Sequence, residues 1–260
     1  MFPLLTDSLS CRRVDVCGAT LSQSKPRFPL IRALRASTSR PSIHDHHDDP
    51  IAGGEIKALA RSLTISNDLA NILEEMSYLT AFVELPHHGS AMTQDSTYFD
   101  DQRASIECRI LAIPGKQDKE QGAVKAENIQ ESCRLAALIY INMAFRTLQP
   151  GAAIHTTLTS RLKTLLTQTD LVSCWGNLSE TLLWVLFMGG AVALRERPWF
   201  VSALTIVCSQ LKMQSWHDVK EVLLKYLWSD RILEVRCNCL WFEVEVEHRN
   251  CTLQTCLESV

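Results

Sequence analysis

The sequence has little net charge. It carries 26 Lys and Arg against 29 Asp and Glu, a balance of −3, with a pI near 6.2. Domains that bind nucleic acid through their surface field are usually strongly basic, so that class is not indicated by overall charge. An apolar stretch of bilayer length is also missing. The apolar, charge-free run between Glu180 and Arg195 falls short of the about 20 residues a membrane helix needs. Most enzyme signatures are absent too: no G-x-S-x-G, no phosphate-binding glycine loop, no H-E-x-x-H and no dinucleotide fingerprint. Ser179, Glu180, His217 and Asp218 could be assembled into a triad on paper, but any chain of this length holds such residues. The start, Met1 to Asp7, lacks a basic segment followed by an apolar core, so no secretory signal is expected.

What is present is a normal supply of core. The hydrophobic fraction is 46% and the charged fraction 21%, both ordinary for a globular protein. Ten cysteines are scattered along the chain, and we read most of them as reduced, buried, small apolar residues. The sequons at Asn177 and Asn250 are then chance matches. Residues 1–54 are rich in Ser, Arg and Pro. They hold Arg12, Arg13, Lys25, Arg27, Arg32, Arg35 and Arg40 but little that can pack. Disorder is the expectation there, and an organelle transit peptide is the other reading of such a composition. The tract from His44 to Asp49 could hold a divalent ion loosely, yet it lies beside Pro50, Gly53 and Gly54 and reads as a solvated linker.

From residue 55 to about 247 the periodicity is helical. A short helix is possible over Glu55 to Leu63. The next begins at Ser66 or Asn67, buries Leu69, Ile72, Leu73, Met76, Leu79 and Val83, and stops at Pro86. His87 and His88 follow in a loop. Residues 86–125 look like connection, with a short helix over Ser105 to Ala112. A long helix follows from Glu127, buried nearly all round. Another runs from Ala153 to Gln168. Cys174 to Asn177 make a turn, and Asn177 or Ser179 is expected to cap a central apolar helix. A helix apolar on all sides must be wrapped by other helices. Pro198 suits the first turn of the next helix, and Ser215 with Asp218 forms a capping box that opens a helix over Trp216 to Trp228. Leu240 to Glu247 alternates in the manner of a strand, with a terminal helix equally compatible, and 248–260 reads as a tail. No repeat, coiled coil or membrane span is expected.

Two groups of residues could carry chemistry. Cys237, Cys239, His248, Cys251 and Cys256 include the ligand types zinc prefers, but their spacing matches no common zinc module. Six tryptophans (Trp175, Trp184, Trp199, Trp216, Trp228, Trp241) are first of all core, and a pocket between their helices is a secondary possibility. No cofactor is expected. A catalytic reading would require His155, His217 and a carboxylate to face one cavity.

The order of several short segments carries more information. Glu131-Ser-Cys-Arg-Leu-Ala-Ala-Leu-Ile-Tyr-Ile-Asn142, Leu182-Leu-Trp-Val-Leu-Phe-Met-Gly-Gly-Ala191, Arg197-Pro-Trp-Phe200, Trp216-His-Asp-Val-Lys220 and Leu224-Lys-Tyr-Leu-Trp228 together resemble the C-terminal helical domain of fungal-specific transcription factors. The likeness is clearest over about 127–242, with the helix from Ser66 included. It implies an all-α, multi-helix, bundle-like regulatory domain that acts in the nucleus and is not an enzyme. It implies partners among proteins or a second copy, and a possible small-molecule effector, with no membrane. In that family a six-cysteine zinc cluster reads DNA upstream of this domain. Here only Cys11 and Cys17 lie near the start, with Arg12 and Arg13 between them. Two thiols cannot hold two zinc ions, so no direct DNA binding is expected of this chain.

Overall fold

The computed structural model describes residues 15, 17–22, 24, 65–84, 92–113 and 121–258. The expectations for most of 1–54, the His44 tract, the helix over Glu55 to Leu63 and the loop at His87 and His88 lie outside the described residues. Within them the protein is all-α and no strand occurs. The helices are α1 (Asn67–Glu84), α2 (Met92–Ala112), α3 (Gln121–Tyr140), α4 (Ala153–Thr167), α5 (Leu171–Trp175), α6 (Ser179–Val192), α7 (Arg197–Leu211), α8 (Trp216–Leu223) and α9 (Asp230–Glu258). A π turn, Ile141–Phe145, continues α3, and a 3-10 turn, Gly176–Leu178, leads into α6.

Helix α6 is the axle. Every residue from Thr181 to Val192 is buried. With no polar face to turn to water, the helix is stable only where neighbours cover it on all sides. Six do so: α3, α4, α5, α7, α8 and α9 all pack against it. The approach of α7 and α9 depends on Gly189 and Gly190. A Cβ on Gly189 would lie 2.5 Å from Phe200 Cε1, and one on Gly190 would lie 2.5 Å from Leu240 Cδ2. The glycine pair therefore serves close packing, as the sequence suggests.

Helices α1 and α2 form a second layer, packed on each other and on the π turn that ends α3. Ser66 caps α1 by accepting from the Leu69 amide at 3.3 Å, while its own N–H donates to Gln130 Oε1 at 2.8 Å. Inside, Thr80 Oγ1 donates to Met76 O at 2.8 Å, so it accepts from the Tyr140 hydroxyl, also at 2.8 Å. Buried hydroxyls are thus satisfied in pairs.

Several local expectations are corrected. Residues 86–125 are not mainly connection: α2 occupies Met92–Ala112 and buries Ile106, Ile110 and Leu111. Its polar composition hid it, because it buries Arg103 and Glu107 along with its few apolar groups. Neither Asn177 nor Ser179 caps α6. Leu178 occupies the cap without a side-chain bond, and Ser179 Oγ donates to Gly176 O at 2.6 Å. The Ser215–Asp218 capping box is present on both sides, but its helix ends at Leu223 rather than Trp228. Residues 240–247 are helical, within an α9 that runs to Glu258 and so also takes in most of 248–260. Leu233, Cys237, Leu240, Trp241 and Val244 are its buried stripe, and that spacing of three and four decides for the helix. Near the start, residues 17–22 are helical with Ala19 and Thr20 buried, where disorder was expected.

Gly189→Ala should destabilise the fold. The gain in helix propensity is about 1 kcal/mol, and overpacking against a buried aromatic costs about 1–3 kcal/mol. Urea denaturation should show a net loss, larger than for Gly190→Ala, where the obstructing atom is the end of a leucine.

Candidate functional site

The aromatic residues gather where α6, α8 and α9 meet. Trp184 stacks on Tyr226 with centroids 5.7 Å apart, Phe187 lies 6.2 Å from Trp216, and Trp216 lies 6.1 Å from Trp228. Their polar atoms are spent internally. Trp184 Nε1 donates to Leu227 O at 3.3 Å, Trp216 Nε1 to Glu234 Oε1 at 2.9 Å and Trp228 Nε1 to Asp230 Oδ1 at 2.8 Å. Thr181 Oγ1 and the Tyr226 hydroxyl share a bond of 3.0 Å. A cage for a ligand needs indole faces and N–H groups turned to a cavity. Here the three indole donors fix the α8–α9 corner instead, so the tryptophans behave as core.

Lys220 completes that corner, with Nζ 2.8 Å from Asp230 and 2.9 Å from Glu234. Its hydrogen bond to Asp230 raises the ammonium above its ordinary range, and the same bond holds the Asp230 carboxyl below the usual carboxylate range. Ser229, also buried here, donates to Glu84 and so ties the corner to the end of α1.

A second polar centre lies at the C-terminal end of α3. Arg146 follows the π turn and grips Glu107 of α2 with two bonds, Nε to Oε1 at 2.6 Å and Nη2 to Oε2 at 2.8 Å. Both side chains are nearly buried. Arg103 approaches the same carboxylate at 4.0 Å and donates to Phe145 O at 3.4 Å. Arg146 Nη1 also donates to Cys17 Sγ at 2.6 Å, and Arg161 donates to Leu21 O at 3.1 Å. These contacts dock the 17–22 segment onto the helical body. Two arginines around one buried carboxylate form a structural clamp, with Asp100 as a second counter-charge to Arg103 at 2.8 Å.

The histidines of the catalytic reading are not brought together. His155 is fully buried on α4, whereas His217 is exposed on α8 and paired with Glu221 at 3.3 Å. The His155 Nδ1 lies 3.0 Å from Gln149 O. A carbonyl only accepts, so Nδ1 carries the hydrogen and Nε2 is the acceptor. That Nε2 is buried with no hydrogen-bond partner among the described residues. Burial lowers the imidazole below its ordinary pKa, with the Arg236 charge adding to the effect. The zinc candidates are likewise dispersed. Cys237 faces the core, Cys239 is exposed, and two residues apart on a helix they point to different sides. His248 is exposed, and the side chains of Cys251 and Cys256 lie outside the described residues. No group of three or more metal-binding side chains occurs among the described residues. Burial raises the Cys133 and Cys208 thiols to about 12, and pushes Cys237 up as well, so these three are inert. Sequence reasoning missed Glu107 and Arg146, because pairs distant in the chain leave no spacing signal.

Two outcomes are expected. Glu107→Ala leaves the nearly buried Arg146 without its carboxylate, while Arg103 keeps Asp100 at 2.8 Å, and should cost about 3 kcal/mol or more in chemical denaturation. His155 has a lower pKa folded than unfolded, so below its ordinary value of 6.5 the unfolded state takes up the proton first. Stability should fall as pH drops through 6.5, by at most about 1.4 kcal/mol per pH unit from this group. The slope of denaturation midpoint against pH should flatten in His155→Gln.

The comparison with family models gives one family. The model described as the fungal specific transcription factor domain matches residues 13–253, a wider stretch than the segments that first suggested it. No curated protein and no solved structure matches the chain. No described helix is long and apolar enough to cross a membrane. With an all-α body built around α6 and a match over nearly its whole length, the chain belongs to the fungal-specific transcription factor domain family.

Proposed function

We propose that this domain works in the nucleus as a regulatory module of transcription that acts by contact with other proteins or by response to a small effector. The observation that carries the reading is the family match across residues 13–253. The geometry agrees with it. The buried polar groups with most contacts, Glu107 with Arg146 and the three indole donors with their acceptors, are engaged with one another in roles that hold helices together. Regulation rather than catalysis is what such an interior supports. Within these 260 residues Cys11 and Cys17 do not make the six-cysteine zinc cluster of the family, so DNA contact is assigned to a different polypeptide segment or a partner. A net charge of −3 accords with that division of labour.

Fusing residues 1–260 to a heterologous DNA-binding domain should change expression of a reporter carrying that domain's site, at least about threefold in either direction, as a domain able to contact transcription machinery would. The unfused protein should show no sequence-selective gel shift at physiological salt. An inert fusion, or a salt-resistant selective shift by the protein alone, would overturn the proposal.

A further inference from the structure

Three buried polar atoms with no hydrogen-bond partner among the described residues belong to elements that meet in the fold. They are Asn142 Oδ1 in the π turn, His155 Nε2 near the start of α4 and Arg236 Nη1 on α9. Asn142 and His155 are themselves buried, at 3% and 0% exposure. Arg236 is half-buried and turns one nitrogen inward. One loop holds the first two: the Leu148 amide donates to Asn142 O at 3.0 Å, and the neighbouring Gln149 O accepts from His155 Nδ1, also at 3.0 Å. Helix α9 packs on the π turn, and the Arg236 charge lies close enough to act on the His155 imidazole.

The hydrogen-bonding sense of each atom is fixed by what its other end does. The Asn142 amide nitrogen donates to Leu138 O at 2.7 Å. A carbonyl only accepts, so the atom left over is the amide oxygen, an acceptor. His155 Nε2 is an acceptor by the same argument from Gln149 O. A guanidinium nitrogen only donates. The three atoms are thus two acceptors and one donor, and their complement donates two hydrogen bonds and accepts one. A carboxylate donates none and an alcohol only one. An ammonium group accepts none and is repelled by Arg236. Water does both, and a buried water typically makes about three bonds to polar groups of this kind.

We propose that one internal water binds between Asn142, His155 and Arg236, donating to Oδ1 and Nε2 and accepting from Nη1. It ties the π turn and α4 to α9. The site is read from these three atoms and is independent of any role in transcription.

NMR of the full chain should show a dipolar cross-peak from a long-lived water to His155 Hδ2, the ring hydrogen beside Nε2 and away from the exchanging Nδ1–H. That peak should be lost in Arg236→Met. In urea denaturation, Arg236→Met and Asn142→Leu should each lower the folding equilibrium constant about tenfold. Together they should lower it clearly less than the about hundredfold product of independent sites, because one water links them. No water peak at His155, a peak that persists in Arg236→Met, or losses that multiply would overturn the proposal. Should Asn142→Leu fail to fold, a crystal structure decides. Water density about 2.7–3.2 Å from all three atoms supports the site, and a direct bond from Arg236 to His155 Nε2 or Asn142 Oδ1 overturns it.

Discussion

A helix with no polar face sets the terms for the whole molecule. From Thr181 to Val192 the polar groups of α6 are the Thr181 hydroxyl, the Trp184 indole N–H and the backbone, and all are bonded within the protein. Burial of a large aliphatic or aromatic side chain is worth about 1.5–3 kcal/mol, and this segment holds eight such residues from Leu182 to Val192. The six helices around α6 are therefore positioned by it. The glycine pair at its end is where the constraint is tightest, because α7 and α9 must both close on the same turn. A side chain there would push Phe200 and Leu240 away from the axle and open the core on two sides.

The polar interactions act at the ends of helices, where the hydrophobic term fixes proximity but not angle. Thr147 shows what they offset. It is a β-branched residue with φ +51, a conformation that costs about 1–2 kcal/mol. It persists because its neighbours fix the chain on both sides: Arg146 is clamped to Glu107 and the Leu148 amide donates to Asn142 O at 3.0 Å. The clamp itself adds little net stability over an apolar substitute, since desolvation of three charges offsets their attraction. Its effect is on geometry: it fixes how α2 lies across the π turn and where residues 17–22 dock. Lys220 and the indole bonds do the same at the α8–α9 corner, where Lys225 to Ser229 must reverse direction between two helices.

How legible this was depended on the range of the interaction. Ser66 as a cap, the Ser215–Asp218 box and the stripe of α1 were legible because cause and effect lie within one or two turns. Helix α2 was not, because it buries Arg103 and Glu107, and only their partners on the far side of the fold make those positions interior. The sequence of 240–247 was ambiguous because Glu243, Glu245 and Glu247 alternate with apolar groups. The helix resolves it by carrying two apolar stripes, one for the core and one at the surface. Capping of α6 was misread because Asn177 and Ser179 were both chemically able, and a 3-10 turn took the place of either. The candidate sites fared unevenly for the same reason: the sequence shows which residues can do chemistry, but separation of His155 from His217, or of Cys237 from Cys239, is a property of helix phase and burial.

Helix phase also ties the interior to the surface. Two stripes on one helix cannot move independently: Leu240 packs on Gly190 of α6 and Trp241 is buried, and Phe242 and Val246 follow from them by rotation alone. Arg197 strengthens that coupling, since one guanidinium holds both Gly190 O at the end of α6 and Glu243 on the outer face of α9. Anything that shifts the turn at Gly189 and Gly190 therefore shifts the outer face as well. The most buried helix sets the position of the most exposed apolar face through one glycine pair and one arginine.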